Sequence, residues 1–474
     1  MKADVVIKNG VVVTPQNTII GGVAVKGTQI IAVGSDAMLP DAHRFIDAQG
    51  GYIIPGLIDI HYHLGAGGPF ERIESDFKTE TPGAALNGVT TISSMLATLG
   101  SYIPAASRAM EWGRGKSFVN YAFHCAIQVP AHLDELKQVC DMGMCRFKMF
   151  YTAYKGEEGR KIGQLGCDDG MVYRACEIFA EYGFPAMATL HCEEQDIMDL
   201  LQPRYENKRM DLPAWTEARP DFIEPMSLDS AAWIAKATGA PVHIAHMSTK
   251  EAVEELARWQ KAGVRIYGET TPTYLTLTKY GELGLFGKIN PPLREKEDQE
   301  ALWSALRDGV ITTMGTDTCP YTRKEKEQKG DLWSALPGFA TGVEIFCSVM
   351  FSEGVRKGRL SIEQMVKVTS EGAARLLNLY PRKGALVPGA DADIVIIDPE
   401  RETTVRAKDL LTRANEWSPF EGMKLKGLPV FTMVMGEIMA DNREIVGKPN
   451  GRFVPVKKGG YYEIRLDEFT AQGN

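Results

Sequence analysis

The sequence predicts an α/β chain built on a (β/α)₈ barrel of the TIM type, with a small β-sandwich domain formed by its N- and C-terminal segments. Three observations carry this prediction. Between about residues 52 and 380, apolar strand-like runs alternate with helical segments, the texture of parallel βα units. Eight such runs can be counted, the number that closes a barrel. At both chain ends, by contrast, short alternating runs are punctuated by Asn-Gly, Gly-Gly and Gly-Thr, as in small antiparallel sheets.

Residues 1–54 supply the first of these ends, with strand-like runs at 11–13, 22–25 and 29–33. Charges and a turn interrupt the opening apolar run, so it reads as strand and turn rather than as a secretory leader or membrane span. The candidate barrel strands are 52–60, 90–95, 118–125, 146–150, 185–190, 242–245, 264–269 and 310–316. Helices fit between them. Asp168 precedes the periodic stretch 171–182, Thr249 opens 251–261, and Ser361 with Gln364 forms a capping box before 365–379. Strand texture returns after Gly384, at 392–397 and 430–434. The division that follows is a barrel over 55–383, an accessory β-rich domain from 1–54 and 384–458, and a tail over 459–474.

A hydrophobic content of 44%, a charged content of 24% and a net charge of −8 describe an ordinary globular chain and argue against nucleic-acid or membrane partners. The eight cysteines are scattered, and the spacing of Cys140 and Cys145 fits neither a zinc ribbon nor a redox pair. Buried, reduced thiols and a cytoplasmic location are expected.

The chemistry begins at Asp59-Ile60-His61-Tyr62-His63. Alternate residues of a strand share a face, so His61 and His63 project together as two ligands of one metal would. Lys148, His191, His246 and Asp317 stand on or at the ends of later strands, and the carboxyl mouth of a barrel gathers such positions. Imidazole and carboxylate suit zinc and also accept manganese, iron or cobalt. An ammonium cannot bind metal, but a neutral lysine amine reacts with carbon dioxide to give a carbamate able to bridge two ions. The plainer readings are a strand-edge surface lysine for Lys148 and a turn residue for Asp317. His243 is expected on the opposite strand face from His246, in a packing or supporting role. His43, His124 and His132 read as structural, and the glycines at 65–68 as a loop beside the site.

On these segments the chain resembles the cyclic amidohydrolases of the dihydropyrimidinase and hydantoinase group, within the amidohydrolase superfamily. The matching stretches run in order along nearly the whole chain: 55–64, 147–150 with 153–156, 191–194, 246–252, 268–270 with 274–277, 290–294, 315–317, 389–393 and 418–422. The resemblance implies two divalent ions, most readily zinc. One would be held by His61, His63 and Asp317, the other by His191 and His246, with Lys148 bridging them as N6-carboxylysine. A hydroxide activated between the ions would attack the amide carbonyl. Asp317 would carry its proton to the leaving ring nitrogen, and Tyr154 would donate to the developing oxyanion. The implied reaction opens a hydantoin or dihydropyrimidine-like ring to an N-carbamoyl amino acid. Within the same resemblance stand an allantoinase, another cyclic imide or lactam hydrolase, and a non-catalytic scaffold homologue. Family members of this kind are homotetramers or homodimers.

The chain departs from the group's common pattern at four places. Thr318 stands where a histidine follows the catalytic aspartate, Ser334 where an asparagine helps read the ring, and Asn290 where a serine precedes Pro-Pro. One extra residue after Lys148 leaves open whether Tyr151 or Tyr154 is the oxyanion donor. Leu64, Tyr154, Asn290 and Ser334 are the expected substrate contacts. Leu64, Met149, Phe150 and Tyr151 are expected to make one pocket side apolar, which favours a hydrophobic ring substituent over the ureido group of allantoin.

Overall fold

The computed structural model describes residues 2–155, 159, 163–206 and 208–458, so the tail expected at 459–474 lies outside the described residues. The chain opens with β1 (Ala3–Val13), β2 (Thr18–Lys26), β3 (Gln29–Gly34), β4 (Ala42–Asp47) and β5 (Tyr52–Pro55). Eight parallel strands follow: β6 (Leu57–Tyr62), β7 (Val89–Leu96), β8 (Asn120–Ala126), β9 (Arg146–Tyr151), β10 (Met187–Cys192), β11 (Val242–Ile244), β12 (Ile266–Thr270) and β13 (Thr313–Met314). They pair in sequence order with helices between them, a nearly closed TIM-like barrel. The gap between first and last strand is bridged beyond β13, where the Asp317 amide donates to the His61 carbonyl at 2.9 Å and the His63 amide to the Thr318 carbonyl at 3.0 Å.

The run at 52–60 is two strands in two sheets. The chain changes sheet at Gly56, where a Cβ would lie 2.1 Å from the Thr90 hydroxyl, so only glycine lets the backbone pass this close to β7. The last expected strand is the shortest, holding strand pairing only at Thr313–Met314. The expected caps form: Asp168 accepts from the Met171 amide, Thr249 from Ala252, and Ser361 and Gln364 complete their box. The helix after Ser361 is not uniform, however, and widens to a π-type turn over Lys367–Glu371 before resuming.

The chain returns as β14 (Ile394–Thr404), β15 (Lys424–Val434), β16 (Glu437–Asp441) and β17 (Glu444–Ile445). β14 pairs antiparallel with β5, joining both chain ends in one mixed sheet. β1 is its branch point: along one edge it pairs with β2, and along the other first with β4 and then with β5. The layers expected of a sandwich are thus parts of a continuous branched sheet. Ile7, Val23, Ile53, Ile394, Ile396 and Met433 fill its core, each contributing about 1.5–3 kcal/mol by burial. Among the described residues no helix is long and apolar enough to cross a membrane.

Two buried carboxyls pin the connection between β14 and β15 to the barrel. Glu344 accepts from the Leu411 and Thr412 amides at 2.9 and 2.8 Å, and Glu80 accepts from the Thr412 hydroxyl and the Arg413 amide. Burial, with Glu80 adding, pushes the Glu344 carboxyl up to about 7. A carboxyl raised on folding leaves the native state holding the extra proton between the unfolded and folded values. Its stabilisation is therefore present at low pH and is lost as pH rises from about 4.5 to about 7. Glu344→Gln is expected to flatten that part of the pH dependence of Tm relative to the parent, an effect on the order of 3 kcal/mol across the window. Thermal melts at half-unit pH steps check it; parallel curves for parent and variant would refute it.

Candidate metal centre at the barrel mouth

The inward side of the barrel follows from strand alternation. On β9, Arg146, Lys148 and Phe150 face one way, and Met149 and Tyr151 the other, into the packing against helices. The apolar pocket wall expected from Leu64, Met149, Phe150 and Tyr151 therefore keeps only Leu64 and Phe150, because consecutive strand residues cannot share a face. Tyr151 donates its hydroxyl to Asp169 on the outer side. Tyr154 faces the cavity, its ring 5.0 Å from Phe150 and 5.1 Å from His191.

The six residues of the expected metal set converge. His63 Nε2 lies 2.8 Å from Asp317 Oδ1, and His61 Nε2 lies 3.4 Å from the same oxygen. These three residues form a candidate metal-binding group, with all ligand atoms within 4.8 Å of one another. Lys148 Nζ sits 3.2 Å from His61 Nε2 and 3.4 Å from His246 Nε2, and His191 Nδ1 is 2.9 Å from His246 Nε2. Burial, then the nearby Lys148 charge, holds the His61 and His246 imidazoles well below the usual histidine range, in the neutral form that ligation requires. Burial lowers the Lys148 amine to about 8 against the opposing pull of Asp317 and Glu269. Burial works to raise Asp317, but His61, His63 and Lys148 outweigh it and hold the carboxyl low.

Backbone geometry places these groups. His246, Asp317, Tyr154 and Thr152 all adopt left-handed φ, at 37°, 51°, 55° and 57°. Such conformations cost of order 1–3 kcal/mol each and gather at functional sites. The turn at His246 brings its ring into the same barrel lumen as His243, which is therefore not on the opposite face. His243 binds Arg146 at 3.0 Å and Thr313 at 3.0 Å, in a polar layer beneath the metal site.

Two carboxylates hold histidine rings of the cluster and carry no signal of their own in sequence patterning, though both stand inside matched segments. Glu269 Oε1 is 2.7 Å from His61 Nδ1, and Glu193 Oε2 is 2.8 Å from His191 Nε2. Each fixes its ring's tautomer and leaves the other nitrogen for metal. Glu269→Gln is expected to weaken metal affinity about 10- to 100-fold, read by competition with a chromogenic chelator. An unchanged affinity would refute the supporting role. Asp59, by accepting from the Thr316 amide at 2.9 Å and hydroxyl at 2.5 Å, locks β6 to the segment carrying Asp317.

An inner cavity of about 80 Å³ opens over the centre, lined among others by Met95, Phe150, Tyr154, Gln164, Asn290 and Gly338. It shares His63, Met95, Gln164 and Tyr321 with an outer vestibule of about 440 Å³, where Leu64, Phe70 and Ile73 stand. Asn290 Nδ2 donates to the Tyr154 hydroxyl at 2.9 Å, while its buried Oδ1 has no hydrogen-bond partner among the described residues. Ser334 is the expected contact that the fold takes elsewhere. Its hydroxyl is bound by Asp331 at 2.8 Å, and the cavity is lined instead by Pro337 and Gly338 downstream. Thr318 is also turned away, bonded to Thr316 at 2.7 Å and accepting from the Val343 amide at 3.0 Å.

A barrel with histidines, a lysine and an aspartate gathered at its carboxyl mouth defines the class of metal-dependent hydrolases. The chain belongs to the amidohydrolase family, whose description matches residues 52–439. It is 34% identical to a D-hydantoinase of Geobacillus stearothermophilus, covering 98% of each chain, and 30% identical to an L-hydantoinase of Paenarthrobacter aurescens over 95% and 98%. The solved structure of a dihydropyrimidinase from Brevibacillus agri superposes with a TM-score of 0.86 at 32% identity, covering 96% of this chain and 99% of that one.

Proposed function

We propose that this protein hydrolyses the C–N bond of a cyclic amide, opening a hydantoin or dihydropyrimidine-like ring to an N-carbamoyl amino acid. The observation that carries the reading is the convergence of His61, His63, Lys148, His191, His246 and Asp317 beneath a cavity of ring size. Full-length relatives named as hydantoinases and dihydropyrimidinase support it. The donor set fits two divalent ions, most readily zinc: His61, His63 and Asp317 for one, His191 and His246 for the other. Lys148, whose amine burial lowers to about 8, fits a bridging carbamate formed with carbon dioxide. When bound, the ions supply a hydroxide at neutral pH and polarise the amide carbonyl.

The chain's own residues do the rest. Asp317, held ionised, would accept the proton of the attacking hydroxide and return it to the leaving ring nitrogen. Tyr154 donates from the cavity wall to the developing oxyanion, its oxygen fixed by Asn290. Asn290 Oδ1 offers an acceptor to a ring N–H. Phe150 beside the ring, and Leu64, Phe70 and Ile73 in the vestibule, favour an apolar ring substituent over a ureido group. By resemblance the assembly is a homotetramer, and the eight free, buried cysteines suit a reducing cytoplasm.

The test is metal content of the purified protein together with ring opening of dihydrouracil, 5-alkyl and 5-aryl hydantoins, allantoin and a simple cyclic imide. Near two metals per chain with turnover of a substituted hydantoin or dihydropyrimidine is the expected result. Allantoin turning over fastest would overturn the substituent assignment. No metal and no turnover after supplying zinc and bicarbonate would overturn the catalytic reading in favour of a scaffold.

A further inference from the structure

Lys326 has no exposed surface, yet among the described residues no carboxylate pairs with it. Its ammonium donates to three backbone carbonyls, those of Lys288 at 2.6 Å, Leu336 at 2.7 Å and Gly338 at 2.9 Å. The rings of Phe339 and Trp417 stand at 5.2 and 5.4 Å. Burial, with the Lys288 charge adding, pushes the amine well below the ordinary lysine range, and three carbonyl acceptors matched to the three N–H bonds of an ammonium oppose that shift. Burying a charge without a counter-charge is costly, so a solvent-free lysine satisfied only by carbonyls marks a place where the chain needs those carbonyls held.

The three carbonyls lie on two separate segments. Lys288 leads directly into Ile289 and Asn290, and Leu336 and Gly338 flank Pro337; Ile289, Asn290, Pro337 and Gly338 all line the inner cavity. The direct bond between the segments is longer, from the Gly338 amide to the Lys288 carbonyl at 3.2 Å. None of the six converging metal-site residues comes from either segment. Sequence patterning gave no sign of this, because Lys326 sits in a run of charged residues, Arg323–Glu327, that reads as a solvated helix.

We infer that Lys326 is a positioning residue that staples the 288–290 and 336–338 segments together, and so sets the affinity for the substrate ring without contributing to metal binding. The inference rests on the ring-opening reading for its kinetic consequence and on the hydrogen bonds alone for its structural one.

Lys326→Met keeps the length of the side chain and removes all three donors. It is expected to raise KM for the best ring substrate about 10- to 100-fold. Metal content is expected to stay near that of the parent protein, and kcat to fall by less than KM rises, since Asn290 of the loosened segment also fixes the Tyr154 hydroxyl. Lys326→Arg, which keeps the charge but spreads its donors in a plane, is expected to fall between parent and Met variant. Hydrogen exchange is expected to quicken in Lys326→Met at the amides of 289–290 and 338–340 while those of β10 hold. An unchanged KM with unchanged exchange overturns the inference, and so does a joint loss of metal, kcat and global protection, which marks a general structural role. Should Lys326→Met fail to fold, the same two readouts on Lys326→Arg decide in the same way. If the parent protein opens no ring, the ring-opening reading fails while exchange still decides whether the staple exists.

Discussion

Lys148→Met is expected to abolish ring opening and to lower the metal content of the purified protein from near two ions per chain to one or none. The physical reason lies in where the amine sits. Lys148 Nζ is within 3.4 Å of imidazole nitrogens from both halves of the site, so it is the group able to join them. Methionine preserves the length and the apolar stem but removes the nitrogen that carbon dioxide would modify. Without a bridge, His191 and His246 are left as a two-ligand site, short of the three or four protein ligands that zinc usually takes. The stabilisation given by a metal pair to charge in the transition state is several kcal/mol, so the loss in kcat is expected to be about 10³-fold or more. Metal analysis and a ring-opening assay, run with and without added bicarbonate, check it. Retention of both metals and of activity would show that the lysine nitrogen is not a bridge.

Asp317→Asn is expected to cost about 10²- to 10⁴-fold in kcat, the range for loss of a positioned proton carrier. The amide matches the carboxylate in shape but has no basicity, and it offers one acceptor oxygen to the two imidazoles that now share Oδ1. KM is expected to change far less than kcat, since the cavity walls that contact the ring are untouched. Steady-state kinetics on one substituted hydantoin check it, and a variant with near-parental kcat would remove Asp317 from proton transfer.

Much of this was legible in the sequence because two periodicities are simple. Eight apolar runs and alternate histidines at 61 and 63 are enough to place a barrel and half a metal site. What resisted reading depends on geometry that a linear pattern does not encode. The left-handed backbone at His246 turns its ring into the lumen beside His243, so strand parity gave the wrong face for His243. The same parity, overlooked at Met149 and Tyr151, would have removed both from the pocket. Ser334 is expected at the cavity as the replacement for a ring-reading asparagine, but a local bond to Asp331 claims its hydroxyl. The support Glu269 gains meaning only once barrel closure brings β12 against β6 and His61, and Glu193 only once the turn after β10 folds its carboxylate back onto His191.

The passage of the chain through Gly56, from β5 into β6, has a consequence for biosynthesis. β5 finds one of its two sheet neighbours in β14, which begins at Ile394, and the His61 carbonyl finds its amide partner at Asp317. At about 5–20 residues per second the ribosome needs tens of seconds to make the intervening chain. The first residues of the cluster to be synthesised, His61 and His63, thus wait for partners at Asp317 and Thr318, late in the chain. Until then β5 and β6 present unpaired edges, and a nascent chain stalled between them and β14 carries an open edge beside an unfinished metal site, the condition under which strand edges recruit the wrong partner.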